Sequence, residues 1–430
     1  MTINIAIAGG GIAGLCLARG LSKYPHLNVT VYEATQRYLD IGGGLAFHGN
    51  AMRALELIDP ELPAEYFRRA TVMNERDVEM ATQVLVGDAV AEDGKSVLLA
   101  ELGKAKGRKT VARSDLLEGL LSLVPKGVVK FGERLVQIEE RSTTDNATEL
   151  GSIFLTFKDG TTATADVLIG CDGVHSVIRK YLLGADHPAV GLKNHDGWHW
   201  VRRSVPAEEA NGLNERLLTY VPIFCGHGAH MNCMPTHFGK TLNVSVIQAS
   251  KESRLVPSSE KEAVQEKPDY ISTEDFAHWT KDARDIATLA LRDPSTEWKV
   301  ADHDPAPFYS RGRICMVGDA AHATMPFNGQ GAAQSIEDAA LLTALFAHVT
   351  ELEWVERAFS VYDELRRPRT QKVAEISRKF GRMYAFAEEG VGDDLDKMRA
   401  ILGAGAKYTN DVDLEKLNEE GVRRLLEAVQ

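Results

Sequence analysis

Three glycine-bearing stretches are placed along the chain so that each could meet a different part of one dinucleotide. They are Gly9-Gly10-Gly11-Ile12-Ala13-Gly14, Gly170-Cys171-Asp172-Gly173 and Gly318-Asp319-Ala320-Ala321-His322. In the first, Gly9 permits a tight turn, Gly11 lets the backbone approach a pyrophosphate, and Gly14 lets a helix pack closely on a strand. The helix that follows points its free N–H groups and positive end at the phosphates. Glu33 ends the next strand, where its carboxylate can accept from ribose hydroxyls and repels a 2′-phosphate. Taken alone, this motif admits either FAD or NAD.

The third stretch discriminates between them. Asp319 follows Gly318 at a strand end, so its carboxylate can meet a polyol chain instead of a second ribose. Pro326-Phe327-Asn328-Gly329-Gln330-Gly331-Ala332 then leads into a helix. The N–H groups around Gly331 and Ala332 would face a flavin pyrimidine edge and favour the negative charge that develops on reduction. A fingerprint at one end and a distant Gly-Asp at the other suit FAD enclosed along its length. His48, just after Ile41-Gly42-Gly43-Gly44, lies near where flavin and substrate would meet and is a candidate proton relay. His322 reads as structural within its turn. His227 and His230 lack a third ligand at metal spacing, so no metal is expected.

Positioning these groups requires a strand over 4–8, a helix over 12–21 and a strand over 29–33, a βαβ unit of the usual size of about 30 residues. The segment 41–44 reads as a flexible crossing without an element of its own. Residues 114–123 form an amphipathic helix. Residues 153–169 read as a hairpin turning at 158–161, and the strand 165–169 then runs straight into the middle glycine motif. From 185 to 300, aromatic and β-branched runs such as Trp198-His199-Trp200-Val201 and Leu217-Leu218-Thr219-Tyr220-Val221 indicate an inserted β unit. Trp198 and Trp200 alternate and share a face, as pocket wall or core. Residues 250–270 read as an exposed connection, 273–291 as a helix or two, and 354–388 as an amphipathic helix before an acidic helical tail.

The 430 residues suffice for two or three domain-sized units. A net charge of −12 gives no support to a nucleic-acid partner. The five cysteines form no CxxC pair, which suits a reducing compartment. The apolar start lacks a basic n-region, and no run reaches the roughly 18 apolar residues of a membrane span. A cytoplasmic protein with no membrane partner is expected.

On residues 9–14 with Glu33, Asp172-Gly173 within 171–179, and 318–338, the chain resembles the group A flavoprotein monooxygenases. This is the para-hydroxybenzoate hydroxylase and salicylate hydroxylase type, and the likeness covers residues 1 to about 370. It looks most similar to the salicylate hydroxylase-like branch and its fungal aromatic polyketide members, a likeness that 305–313 extends. The resemblance implies an α/β fold, with a Rossmann-like FAD-binding domain of the glutathione-reductase type over 1–75, 106–184 and 300–370. A mainly β substrate domain (76–105 and 185–299) is inserted into it, and 371–430 is a C-terminal helical segment.

What the family does implies non-covalent FAD, NADH or NADPH as a transient reductant, O2 as co-substrate, and a monomer or homodimer. Oxygen transfer to a small phenolic or aromatic substrate, a salicylate-like acid or a phenolic polyketide, would pass through a flavin C4a-hydroperoxide. Glu33 would hold the adenosine ribose and Asp319 the ribityl region. Gly44, Ala46, Gly331 and Ala332 would contact FAD through backbone, and Arg113 would reach it. Asp172 marks both FAD and NAD(P)H binding. Pro326 and His48 would border the reacting centre. Arg202 is the cation expected to lower the substrate phenol's pKa. Arg203 is its rival, because adjacent strand residues face opposite sides. Trp200 and Met234 would line the pocket. Met234 stands where dearomatising relatives carry tyrosine, which favours plain hydroxylation, with or without loss of a carboxylate, over dearomatisation. A flavin-dependent dehydrogenase or reductase on the same fold is the alternative.

Overall fold

The apolar run Ile3–Ala8 is too short for a helix, and it forms the centre of a parallel sheet where five of its six residues are buried. In this computed structural model the described residues are 2–38, 43–71, 79–90, 95–106, 109–141, 151–210, 212–218, 221–250, 271–292 and 297–429. The sheet has six strands in the order Ser310–Arg311, Ile314–Met316, Val167–Gly170, Ile3–Ala8, Leu27–Glu33 and Val129–Phe131. Register makes this sheet a platform. Ala8 pairs with Gly170, and Gly170 with Met316, so three parallel strands end in one row. All three glycine motifs therefore leave the sheet from the same edge, the carboxyl edge at which α/β sheets bind ligands.

The helix Ile12–Leu21 is buried nearly all round, because sheet covers one side and the helix Gly331–Phe346 the other. That second helix buries Glu337 and Asp338 completely. Such charges persist inside a protein only when paired, and their partners come from the long helix Val355–Tyr384. Arg366 Nε donates to Asp338 Oδ1 at 2.7 Å and its Nη1 to Glu337 Oε2 at 2.5 Å. Arg369 donates to both oxygens of Glu337, at 2.8 and 2.9 Å. Burial alone would raise the Asp338 pKa, but His322 and Arg366 override it and bring it down to about 2.

A second sheet of seven strands runs in the order Glu297–Lys299, Trp198–Pro206, Thr241–Ala249, Ala229–Thr236, Ile223–Gly226, Glu79–Val90 and Ser96–Lys106. The helix Lys281–Ala290 covers its back face with an apolar core including Val244, Val246 and Trp279. Its front face turns toward the glycine motifs and the C-terminal helices. Among the described residues no helix is long and apolar enough to cross a membrane.

Three expectations are corrected. The 153–169 segment divides at Asp166: Thr162–Ala165 closes the hairpin, while Val167–Gly170 joins the parallel sheet beside Ile3–Ala8. Gly44 is not mere crossing but starts the strand Gly44–Ala46, paired with Thr110–Ala112. A boundary at 370/371 would cut the continuous helix Val355–Tyr384. Ile41, Gly42, Thr219, Tyr220 and residues 251–270 lie outside the described residues.

Replacing Arg366 by alanine leaves two buried carboxylates short of their partner and should destabilise the protein by about 3–5 kcal/mol, measured by denaturant unfolding. Asp338 contributes fully above about pH 4, the ordinary aspartate range. Its contribution should fade as pH falls toward about 2, which pH-dependent unfolding of wild type against Asp338→Asn reads directly.

Candidate active site

A cavity of about 370 Å³ flanks the turn at His322, but the larger one, about 470 Å³, collects the groups singled out above. It lies between the carboxyl edge of the parallel sheet and the front face of the second sheet.

The first glycine motif forms its cofactor-side corner. Gly9 has φ +101°, and a Cβ there would come 2.3 Å from the Cys171 carbonyl oxygen, so the first and second motifs pack backbone to backbone. A Cβ on Gly14 would lie 2.0 Å from Gly9 O, which fixes how near the helix starts to the strand. Gly11 is different: it lines the cavity, and the nearest atom to its missing Cβ is Arg113 Nη2 at 4.0 Å. Arg113 lines the cavity too, anchored by its N–H to Gly43 O at 2.7 Å. Asp319, Gly331 and Ala332 line the cavity as well. The first turn of Gly331–Phe346 carries N–H groups that have no intrahelical acceptor, and here they border the cavity. An open glycine surface, a guanidinium, a carboxylate and a helix N-terminus suit the pyrophosphate, ribityl chain and ring edge of FAD.

Gly9, Gly14, Glu33 and Asp172 stand behind the cavity wall. Glu33 Oε2 accepts from Gly10 N at 2.6 Å, and Oε1 accepts from Thr35 N and Oγ1, each at 2.8 Å. This carboxylate ties the glycine turn to the second strand and leaves Oε2 a further lone pair. Tyr38, not singled out from sequence, donates to Gly10 O at 2.6 Å. Asp172 accepts from Ser176 Oγ at 2.5 Å and Val177 N at 2.7 Å, so its carboxylate caps the next helix while Cys171 and Gly173 line the cavity.

Strand alternation and register arrange the opposite wall in rows. Arg202 pairs with Ser245, and Ser245 with Asn232, giving one row of three polar side chains. On one side lies Trp200–Ile247–His230, and on the other Asn243–Met234. All eight line the cavity. The Arg202 guanidinium lies 5.2 Å over the Trp200 ring, and burial lowers its pKa. Arg203 points away, its Nη2 lying 3.4 Å from Glu209. Met234 Sδ would be 2.6 Å from a Cβ on Gly44, so glycine there lets the Gly44–Ala46 strand, itself lining the cavity, lie against this wall.

Pro326 begins the turn Pro326–Asn328 at the cavity edge. His48 lines it as well, and its Nδ1 is 2.9 Å from Gly103 O. A carbonyl only accepts, so in the neutral ring Nδ1 carries the proton and Nε2 is the basic nitrogen. His322 meets Asp338 Oδ2 at 2.6 Å in the structural cluster. His227 is at the surface beside Asp88, and no cluster of three metal-ligating side chains occurs among the described residues.

Sequence reading passed over Asn232, Asn243 and Ser245 and weighed His230 only as a metal ligand. The signal was the alternation His230-x-Asn232-x-Met234 and Asn243-x-Ser245-x-Ile247, which places polar groups on one face. His230 sits among Trp198, Phe327 and Tyr384, ring centres 5.1–5.8 Å away, and burial pushes its pKa down to about 3. It is a neutral imidazole at working pH.

Comparison with known proteins gives one consistent answer. A family described as "FAD binding domain" matches residues 2–377. The 6-methylsalicylate 1-monooxygenase of Aspergillus terreus is 34% identical over 429 residues, covering 100% of this chain and 93% of that one. The salicylate hydroxylase of Pseudomonas putida is 31% identical over 422 residues, covering 96% and 92%. A solved salicylate hydroxylase substrate complex superposes with TM-score 0.77 at 28% identity, covering 98% of both chains. The chain belongs to the FAD-dependent flavoprotein monooxygenases, in their salicylate hydroxylase-like branch.

Proposed function

We propose that this monooxygenase hydroxylates a small phenolic acid of the salicylate type with NADH or NADPH, and that Arg202 holds the substrate's negative group. The observation that carries this reading is a partly desolvated guanidinium lining the same cavity as Asp319 and Ala332. The two most informative relatives are named for salicylates, substrates that bear a carboxylate and a phenol. When bound, FAD supplies hydride acceptance from the nicotinamide and activation of O2 for transfer to the ring.

The chain's own contribution is placement, charge and dryness. Arg202 pairs with the carboxylate or phenolate, and a cation beside a phenol lowers its pKa and makes the ring more nucleophilic. The Trp200 face limits where that guanidinium can go. His48 Nε2 accepts a proton at the cavity edge. Gly11, Arg113 and Asp319 would hold the cofactor's phosphates and polyol, Gly44 and Ala46 would border its ring, and the Gly331 and Ala332 amides would stabilise negative charge on it. Glu33 would meet the adenosine ribose with its remaining lone pair. Ile223, Ile247, Trp200 and Phe327 keep water from the reacting atoms. In this reading the six-stranded sheet serves the cofactor and the seven-stranded sheet the substrate. Five free cysteines, four of them buried, favour a reducing cytoplasm.

Arg202→Ala should lower kcat/KM roughly 30-fold or more, since truncating a buried charge pair costs about 2–5 kcal/mol. Bound FAD should stay at the wild-type level, and Arg203→Ala should change turnover far less. The reverse ranking would remove Arg202 from the role. Reaction under labelled O2 should place one labelled oxygen in the aromatic product, with NAD(P)H oxidation accelerated by salicylates. Oxidised product without label would instead mark a dehydrogenase.

A further inference from the structure

Arg202 accounts for one polar group of a substrate, and the wall that carries it also holds a buried acceptor, Asn243 Oδ1, with no hydrogen-bond partner among the described residues. Asn243 is 6% exposed and lines the cavity. Its Nδ2 donates to Thr236 Oγ1 at 2.8 Å, Thr236 Oγ1 lies 2.8 Å from Thr241 Oγ1, and Thr241 Oγ1 lies 2.9 Å from His237 Nδ1. This chain of contacts holds the amide in place. Its Oδ1 is buried and receives no hydrogen bond from the described residues. The register partner Met234 has nothing to donate, and Ser204 on the other side does not reach it.

A buried acceptor is left unsatisfied only at a cost, and Asn243 is among the residues that line the cavity. The complement is an O–H or N–H donor on the ligand. Its position follows from register. Arg202 faces Ser245, so Asn243, two residues along, is its diagonal neighbour on the same face. Diagonal neighbours are about 7–8 Å apart before their side chains reach inward, which suits groups on opposite sides of a ring and not on adjacent carbons.

We infer that Asn243 is a specificity-determining residue that selects phenolic acids carrying a second hydroxyl or amino donor, meta or para to the group held by Arg202. The inference rests on the phenolic-acid reading and narrows its substrate class. A donor-bearing acid satisfies Oδ1, and an acid lacking the donor buries it unpaired.

The test uses the FAD-loaded enzyme and reads kcat and KM from substrate-stimulated NADH or NADPH oxidation. The panel is salicylate, 2,4- and 2,5-dihydroxybenzoate, 4-aminosalicylate, and 4- and 5-methoxysalicylate, which keep the oxygen and lose the donor. Wild type should favour at least one donor-bearing acid over its methoxy counterpart and salicylate by ~10- to 100-fold in kcat/KM, mostly through KM. Asn243→Leu should bring that ratio toward one with normal flavin content, and Asn243→Asp, which keeps an acceptor, should retain it. The wild-type comparison stands even where a variant fails to fold. Equal rates for hydroxy and methoxy acids, or a preference that survives in Asn243→Leu, would overturn the assignment and leave the phenolic-acid reading intact. Stimulation by no phenolic acid at all would bring down both.

Discussion

The carboxylate of Asp338 is the point on which the site's geometry depends. Its Oδ2 accepts from the Gly318 N–H at 3.0 Å and meets His322 Nε2 at 2.6 Å, while Oδ1 takes the Arg366 guanidinium. One side chain thereby joins the strand end that precedes Asp319, the turn that follows it, the helix whose first turn faces the cavity and the long helix behind. Asp319 and Ala332 border one cavity because both ends of their segment are tied to the same buried charge. A buried pair of this kind contributes less to net stability than its Coulomb energy suggests, and its value lies in permitting one arrangement. The neighbouring Glu337 extends the fixation, through Arg369, to the last turn of Leu395–Asn410, where Arg369 also donates to Tyr408 O and Thr409 O. The C-terminal helices are thus connected to the site, and Phe380, Tyr384 and Asn410 line it.

Two registers complete the construction. Alignment of Ala8, Gly170 and Met316 brings motifs far apart in sequence to a single edge. Pairing of the strands Trp198–Pro206, Thr241–Ala249 and Ala229–Thr236 sets Arg202, Ser245 and Asn232 in line across the opposite wall. A slip of one residue in the strand Trp198–Pro206 would turn Arg203 inward and Arg202 out, so the strand's apolar residues Val201 and Val205, facing the back core, also choose the cavity's cation.

Legibility from sequence followed the range of the interactions. The first βαβ unit, the helix beginning near 114 and the turn at 158–161 were readable because near neighbours decide them. The division at Asp166 was not, since nothing local says that Val167 will pair with Ile5 while Ala165 pairs with Ile153. Gly44 looked like crossing because its strand is three residues long and exists only against Thr110–Ala112. Asn243 and Ser245 drew no attention because a polar residue alternating with valines is the ordinary look of a half-exposed strand, and here the polar face is turned inward.

By itself the sequence determined the glycine turns at strand ends of an FAD-binding fold, because a missing Cβ and a fixed spacing express their consequences within a few residues. It also determined that a flavin monooxygenase fold would be built around those turns. Which arginine meets the cavity, what Glu33 and Asp172 do with their lone pairs, and which polar atoms are left for a ligand were decided only by tertiary structure. Those properties depend on the parity of strand pairing and on burial, and both are set by residues tens to hundreds of positions away.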